Sequence, residues 1–96
     1  MRIDTDGIAR HVMTVTAGLD SQDVSLAMSR AILILALQDA AGMDRGDGPL
    51  SQQLRKLQAL RWLRERQLTP YSLFDVCERL GLDVSEMRAA GESLAA

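Results

Sequence analysis

The sequence predicts an all-α protein, a small helical bundle of about five helices that ends in a helix-turn-helix. Apolar residues recur every three or four positions along most of the chain, as on one face of a helix. Glycine and proline concentrate in a few short breaks between those stretches. The 96 residues, 47% apolar and 25% charged, fit one folded domain with a modest aliphatic core.

The first predicted helix covers residues 7–19 and follows Asp4 and Asp6, either of which can cap its free N–H groups. Its inward face is expected to consist of four aliphatic residues: Ile8, Val12, Val15 and Leu19.

The second predicted helix, residues 21–41, is apolar around most of its circumference. A helix of this kind must be enclosed, either by the other helices or by a second subunit. Both interpretations stay open, and the second predicts a homodimer.

Residues 42–49 form a glycine-rich stretch that predicts a flexible loop, and Pro49 suits the first turn of the helix that follows. That third helix is predicted over residues 50–67. Its leucines are spaced by four and then repeatedly by three, so the apolar stripe winds around the helix and is expected to meet different partners at its two ends. The leucines are Leu50, Leu54, Leu57, Leu60 and Leu63.

Basic residues concentrate on the third helix, although the chain as a whole has a net charge of −2. Residues 51–66 hold five basic residues and one acid, a local charge of +4, which leaves −6 for the rest. A local positive face can bind phosphate on an acidic protein. The predicted phosphate contacts are Arg55, Lys56, Arg61 and Arg64. Equally, these side chains can form an ordinary solvent-exposed face of the helix that binds nothing.

The last two helices, residues 72–80 and 84–94, have the pattern of a helix-turn-helix. Cys77 supplies the small residue where the helices cross, and Gly81 the residue able to adopt positive φ in the turn. Leu82 belongs to the apolar set that holds the crossing shut; its other members are Val76, Leu80, Met87 and Ala90. An ordinary helical hairpin is the alternative.

In a helix-turn-helix the second helix enters the major groove of DNA. On its predicted outward face Arg88 can make a bidentate contact to guanine, and Ser85 can meet a base or a phosphate. Ser72 is expected to cap the first helix of the unit and is a further candidate for a phosphate contact. Acidic residues on this face, such as Asp83 and Glu92, would be repelled by DNA.

This part of the chain resembles small proteins of phages and prophages, and it is similar to phage-derived transcription activators of gene transfer agents. The resemblance covers about the last third of the chain and rests on the following residues: Trp62, Ser72, Phe74, Val76, Cys77, Glu78, Leu80, Gly81, Leu82, Asp83 and Arg88. It implies a DNA-binding regulator of phage-type genes. It does not identify the residues that contact DNA.

No pattern indicates an enzyme, a cofactor or a metal site. His11 and Cys77 are the single histidine and cysteine and lie on different predicted helices, and Cys77 is expected to be structural. Trp62 is expected to anchor the core. The chain shows no secretory signal, and its longest apolar run, residues 31–37, is too short to cross a bilayer, so we expect a cytoplasmic protein.

The leading hypothesis is therefore a transcription regulator, an activator of phage-derived genes, that reads double-stranded DNA through residues 73–92. The alternative is a helical protein-interaction or dimerisation module that does not bind DNA. The chain is also predicted to be the N-terminal part of a longer protein, whose further domain would contact RNA polymerase or another regulator.

Overall fold

The computed structural model describes residues 5–15 and 24–96, which form five α-helices. The helices are α1 (Thr5–Val15), α2 (Val24–Ala40), α3 (Pro49–Arg64), α4 (Leu73–Leu80) and α5 (Val84–Ala95). The predicted all-α bundle is confirmed. The predicted C-terminal extension of the first helix, residues 16–19, and the capping residue Asp4 lie outside the described residues. None of the described helices is both long and apolar enough to cross a membrane.

Helix α2 is the centre of the bundle and packs against each of the other four helices. Leu33, Leu37 and Ala40 are buried on one of its faces. The opposite face is only partly enclosed, since Met28 and Leu35 remain 46% and 45% exposed. The chain itself therefore covers one side of this apolar helix and leaves part of the other side open.

Helix α3 begins as predicted but ends three residues early. Pro49 stands in its first turn, behind Gly48 at a φ of 93°. At the other end Glu65 adopts an extended backbone, and its side-chain Oε1 accepts hydrogen bonds from the backbone N–H groups of Arg66 and Gln67. Glutamate is a good helix former, so this local turn was not evident from the sequence.

The loop between α2 and α3 is tied to both helices, whereas the sequence predicts a flexible connector. Asp39 on α2 lies 2.9 Å from Arg45 Nη2 in the loop. Arg55 on α3 binds the carboxylate of Asp47. These ion pairs hold the loop against the start of α3.

The leucines of α3 are divided between the core and the surface. Leu63 is fully buried and lies so close to Gly91 on α5 that an added Cβ there would overlap its side chain. Leu50, Leu54 and Leu57 are 81%, 56% and 66% exposed. The C-terminal end of α3 thus meets α5, while its N-terminal leucines face away from the core.

A tight turn at Gly81 joins α4 to α5. Gly81 has a φ of 71°, as predicted, and its N–H donates to Glu78 O at 3.4 Å, while the N–H of Leu82 donates to Cys77 O at 2.9 Å. This pair of bonds is a Schellman motif. Asp83 then caps α5 by accepting from the N–H of Glu86 at 3.0 Å.

The side chains at the crossing of α4 and α5 are buried as predicted. Leu82 is partly buried and packs on the core, and the buried members are Val76, Cys77, Leu80, Met87 and Ala90. The two short helices therefore form one unit with its own share of the core.

Replacing Gly81 with valine should lower the free energy of unfolding by about 1 to 3 kcal/mol, because a β-branched residue is strained at positive φ. Gly81→Asn is the matched control and should lose less unfolding free energy, since asparagine tolerates positive φ. Chemical denaturation followed by circular dichroism measures both. Equal losses in the two variants would show that the turn does not depend on positive φ.

Candidate nucleic-acid interface

Arg88 holds α5 against the C-terminal end of α3. Its Nε donates to Leu63 O at 3.0 Å and its Nη2 donates to Glu65 O at 3.2 Å. The guanidinium also lies over the Phe74 ring, 5.5 Å from its centroid. These carbonyls lack partners within their own helix, so Arg88 acts as a C-terminal cap of α3. Its predicted contact to guanine is untested, and this geometry does not favour it because two of its five N–H donors are already used on α3.

Arg64, a predicted phosphate contact, lies at the edge of α5. Its Nε and Nη2 donate to the two carboxylate oxygens of Glu92 at 2.6 and 2.9 Å. The hydrogen bonds raise the pKa of Arg64 and lower the pKa of Glu92. Both side chains are exposed, and exposed ion pairs are weak. A phosphate can therefore replace Glu92 as the partner of Arg64.

Ser72 is placed for capping and away from the surface. It is buried, and its Oγ accepts from the backbone N–H groups of Asp75 and Thr69, both at 3.3 Å. The predicted cap of α4 is confirmed. A phosphate contact by this hydroxyl does not fit its burial.

The other three predicted phosphate contacts are separated from one another on α3. Arg55 is bound to Asp47 and lies 3.5 Å from Asp39 Oδ1, beside the α2–α3 loop. Lys56 lines a shallow groove of about 370 Å³ with Gly42 and Pro49. Arg61 is exposed on the opposite side of α3 and forms no ion pair with any residue that the structure describes. The four cations therefore do not form one phosphate-binding face.

The outward face of α5 is small and partly acidic. Ser85 is exposed in the first turn of the helix, as expected for a residue that meets DNA. The exposed residues at or near this turn also include Asp83 and Glu86, while Ala89 continues the face one turn later. Any phosphate bound near this face would therefore need basic side chains from the residues that lie beside α5.

Arg66 is a candidate that the sequence did not single out. It is exposed, forms no ion pair within the described part of the chain, and directly follows Glu65, whose carbonyl oxygen is held by Arg88. Its position depends on the early end of α3, for which the sequence carries no clear signal. Together with Arg64 it places two cations beside α5.

The connection before α4 is held by side chains on both sides of Tyr71, which has a φ of 60°. Trp62 Nε1 donates to Tyr71 O at 3.0 Å, and the N–H of Tyr71 donates to Asp75 Oδ2 at 2.8 Å. Trp62 packs on the core as predicted. These contacts fix where α4 begins relative to α3.

Cys77 and His11 lie on different helices and in different environments. Burial raises the pKa of Cys77 to about 11, which keeps its thiol protonated. His11 is exposed on α1. Among residues 5–15 and 24–96 no cluster of histidine, cysteine and carboxylate side chains is suited to hold a metal ion.

No family model, no curated protein and no solved structure matches the chain. The resemblance to phage-derived activators therefore stays a prediction, and the functional argument depends on the geometry of α3, α4 and α5.

Replacing Arg88 with methionine should lower the free energy of unfolding by roughly 1 to 3 kcal/mol, because two carbonyls lose a charged donor. Arg66→Met, on an exposed arginine without an ion-pair partner, is the matched control and should stay within about 0.5 kcal/mol of wild type. Urea denaturation without DNA measures both. If the two variants are equally stable, Arg88 does not hold α3 and α5 together.

Proposed function

We propose that the chain is a DNA-binding module of a transcription regulator, with α4 and α5 as its helix-turn-helix. The observation that carries the proposal is the turn itself, in which Gly81 at positive φ, the capping Asp83 and the buried Cys77 occur together. This is the local structure that presents the second helix of such a unit to the major groove.

The rigid attachment of α5 supports this role. Arg88 joins α5 to the end of α3, and Gly91 lets the side chain of Leu63 pack directly against the backbone of α5. A reading helix must be held in a fixed orientation, because a base contact depends on hydrogen-bond geometry. In this proposal Arg88 is a positioning residue and Ser85 meets a base edge or a phosphate.

Phosphate contacts come from the two cations beside α5. Arg66 is without an ion-pair partner in the described chain, and Arg64 exchanges Glu92 for a phosphate oxygen. Two such contacts give modest affinity, because each phosphate contact contributes about one released counterion. Asp83 and Glu86 repel phosphate and oppose binding. The affinity of the complex therefore depends on the salt concentration and on how many copies of the chain bind one duplex.

The proposed partner is double-stranded DNA in the cytoplasm. The resemblance described above implies phage-derived target genes and an activating role, and for that role we propose RNA polymerase or another regulator as a further partner. These parts of the proposal have their support in the resemblance alone.

Fluorescence anisotropy tests the proposal with two duplexes, one taken from the DNA upstream of the gene that encodes this chain and one of random sequence. Arg64→Ala and Arg66→Ala should each weaken binding to both duplexes and flatten the salt dependence by about one counterion. Lys56→Ala, on another side of α3, is the control and should bind as wild type does. Ser85→Ala should lose more affinity on the preferred duplex than on the random one.

Two outcomes would contradict the proposal. Wild-type protein that binds neither duplex at low salt removes DNA binding altogether. A loss in Lys56→Ala as large as that in Arg66→Ala removes the placement of the interface beside α5.

A protein-interaction module is the second candidate, favoured by the large apolar side chains exposed on the two longest helices. Leu50, Leu54 and Leu57 on α3 and Met28 and Leu35 on α2 are open to solvent. Exposed apolar patches of this kind mark binding surfaces. In this reading the turn at Gly81 only closes the bundle, and failure of DNA binding leaves the interaction module as the function.

A further inference from the structure

The outer face of α3 has the spacing of a coiled-coil seam. We define this face as Leu50, Leu54, Leu57 and Arg61, which are separated by four, three and four residues. Such spacing brings side chains to one side of a helix and allows a second helix to pack along them. The four residues are exposed, and the buried residues of α3, Ala59 and Leu63, lie on the opposite side. The helix therefore carries a second apolar stripe that the described bundle does not use.

The residues that flank the leucines of this face are uncharged, and the cations on the same stripe, Arg61 and Arg64, lie at its C-terminal end. Ser51 and Gln53 border its first half, and Gln58 and Leu60 border its second half. In coiled coils these flanking positions set the choice of partner through their charges. Neutral flanks permit pairing with an identical helix. The orientation of such a pair must then be set by the charged end of the face.

We propose that the outer face of α3 pairs with the same face of a second copy of this chain, with the two helices antiparallel. The midpoint of the pair lies between Leu54 and Leu57, so that Leu54 of each copy meets Leu57 of the other. Leu50 of each copy then packs against the aliphatic stem of Arg61 of the other. Three leucines and one arginine stem from each copy are removed from water.

The charges of the chain select the antiparallel orientation. In a parallel pair Arg61 would face Arg61 of the second copy, and like charges in contact are unfavourable. In the antiparallel pair Arg61 lies at the start of the other α3, next to the loop that carries Asp44 and Asp47. Asp47 is already bound to Arg55 of its own α3, whereas Asp44 is exposed and forms no ion pair within the described part of the chain. Asp44 is therefore the carboxylate that Arg61 meets, and its full charge outweighs the partial positive charge of a helix N-terminus.

The pairing places a second copy of α5 where it can enter the same DNA duplex. This consequence rests on the proposed DNA-binding function. From the midpoint of the pair to Arg64 is roughly 13 Å at 1.5 Å per residue. The two α3 ends that carry α5 are therefore about 26 Å apart along the pair, before the sideways offset of α5 is added. Successive major grooves on one face of DNA are about 34 Å apart, which is the spacing that dimeric helix-turn-helix proteins use.

Light scattering and sedimentation over a concentration series test the pairing without DNA. An interface of this small size predicts weak self-association, detectable only at high protein concentration. Leu54→Lys should weaken self-association at least tenfold while the circular dichroism spectrum stays unchanged, since Leu54 is exposed. Leu35→Lys, on the half-exposed face of α2, is the control and should associate as wild type does.

Three results would overturn the proposal. One is a wild type that stays monomeric at millimolar concentration, which would leave the outer face of α3 to a different protein. Another is dissociation of Leu35→Lys with intact association of Leu54→Lys, which would place the interface on α2. The third is an equal loss of self-association in Leu54→Lys and Leu35→Lys. A monomer that still binds DNA refutes the pairing alone, so the two proposals fail separately.

Cysteine cross-linking tests the orientation. A mixture of Leu50→Cys and Arg61→Cys proteins should form a mixed disulfide, because these positions meet in the antiparallel pair. Leu50→Cys alone should not, since its two copies lie roughly 16 Å apart along the helices. Cys77 is buried and keeps its thiol protonated, so wild type serves as the unreactive control. Efficient self-linking of Leu50→Cys without the mixed product would show a parallel pair and overturn the proposal.

Discussion

The attachment of α5 to the end of α3 is the constraint on which the C-terminal part of this protein depends. Arg88 donates to two carbonyls that α3 cannot satisfy itself, and Gly91 admits the buried side chain of Leu63. One link is polar and directional, the other is a close apolar contact. Together they fix the axis of α5, and the turn at Gly81 then fixes α4, whose buried face completes the core around α2.

This arrangement gives the two ends of α3 different tasks. Its C-terminal end carries α4 and α5, the proposed reading unit, with Arg64 and Arg66 beside it. Its N-terminal half presents leucines that the bundle leaves exposed, next to a loop in which Asp47 is bound by Arg55. Reading DNA with only two nearby cations is weak for a single copy, because phosphate contacts supply most of the affinity. Pairing through α3 would compensate by bringing two reading units onto one duplex.

The sequence predicts the elements and the turn well because these depend on local chemistry. The positive φ of Gly81, the caps at Ser72 and Asp83 and the burial of Cys77 all follow from which residue types tolerate those positions. The site is predicted less well, because the direction of a long charged side chain is set by tertiary partners. On the helical spacing of α5 alone Arg88 lies on the outward face, whereas the early end of α3 supplies carbonyls that draw its side chain inward. For the same reason the basic residues of positions 51–66 do not form one face. Arg66 lies beside α5 only because α3 ends at Arg64.

A titration of ¹⁵N-labelled protein with a short duplex at low salt, followed amide by amide, tests whether DNA binds at α5 and the end of α3. We expect chemical-shift changes confined to the start of α5, around Ser85 and Ala89, and to the chain from Arg64 to Arg66. With a duplex long enough for one copy only, the amides of Leu50, Leu54 and Leu57 should change with protein concentration and not with DNA. Shift changes centred on Lys56 or Arg55, or no change at all with duplex in excess, would contradict this expectation.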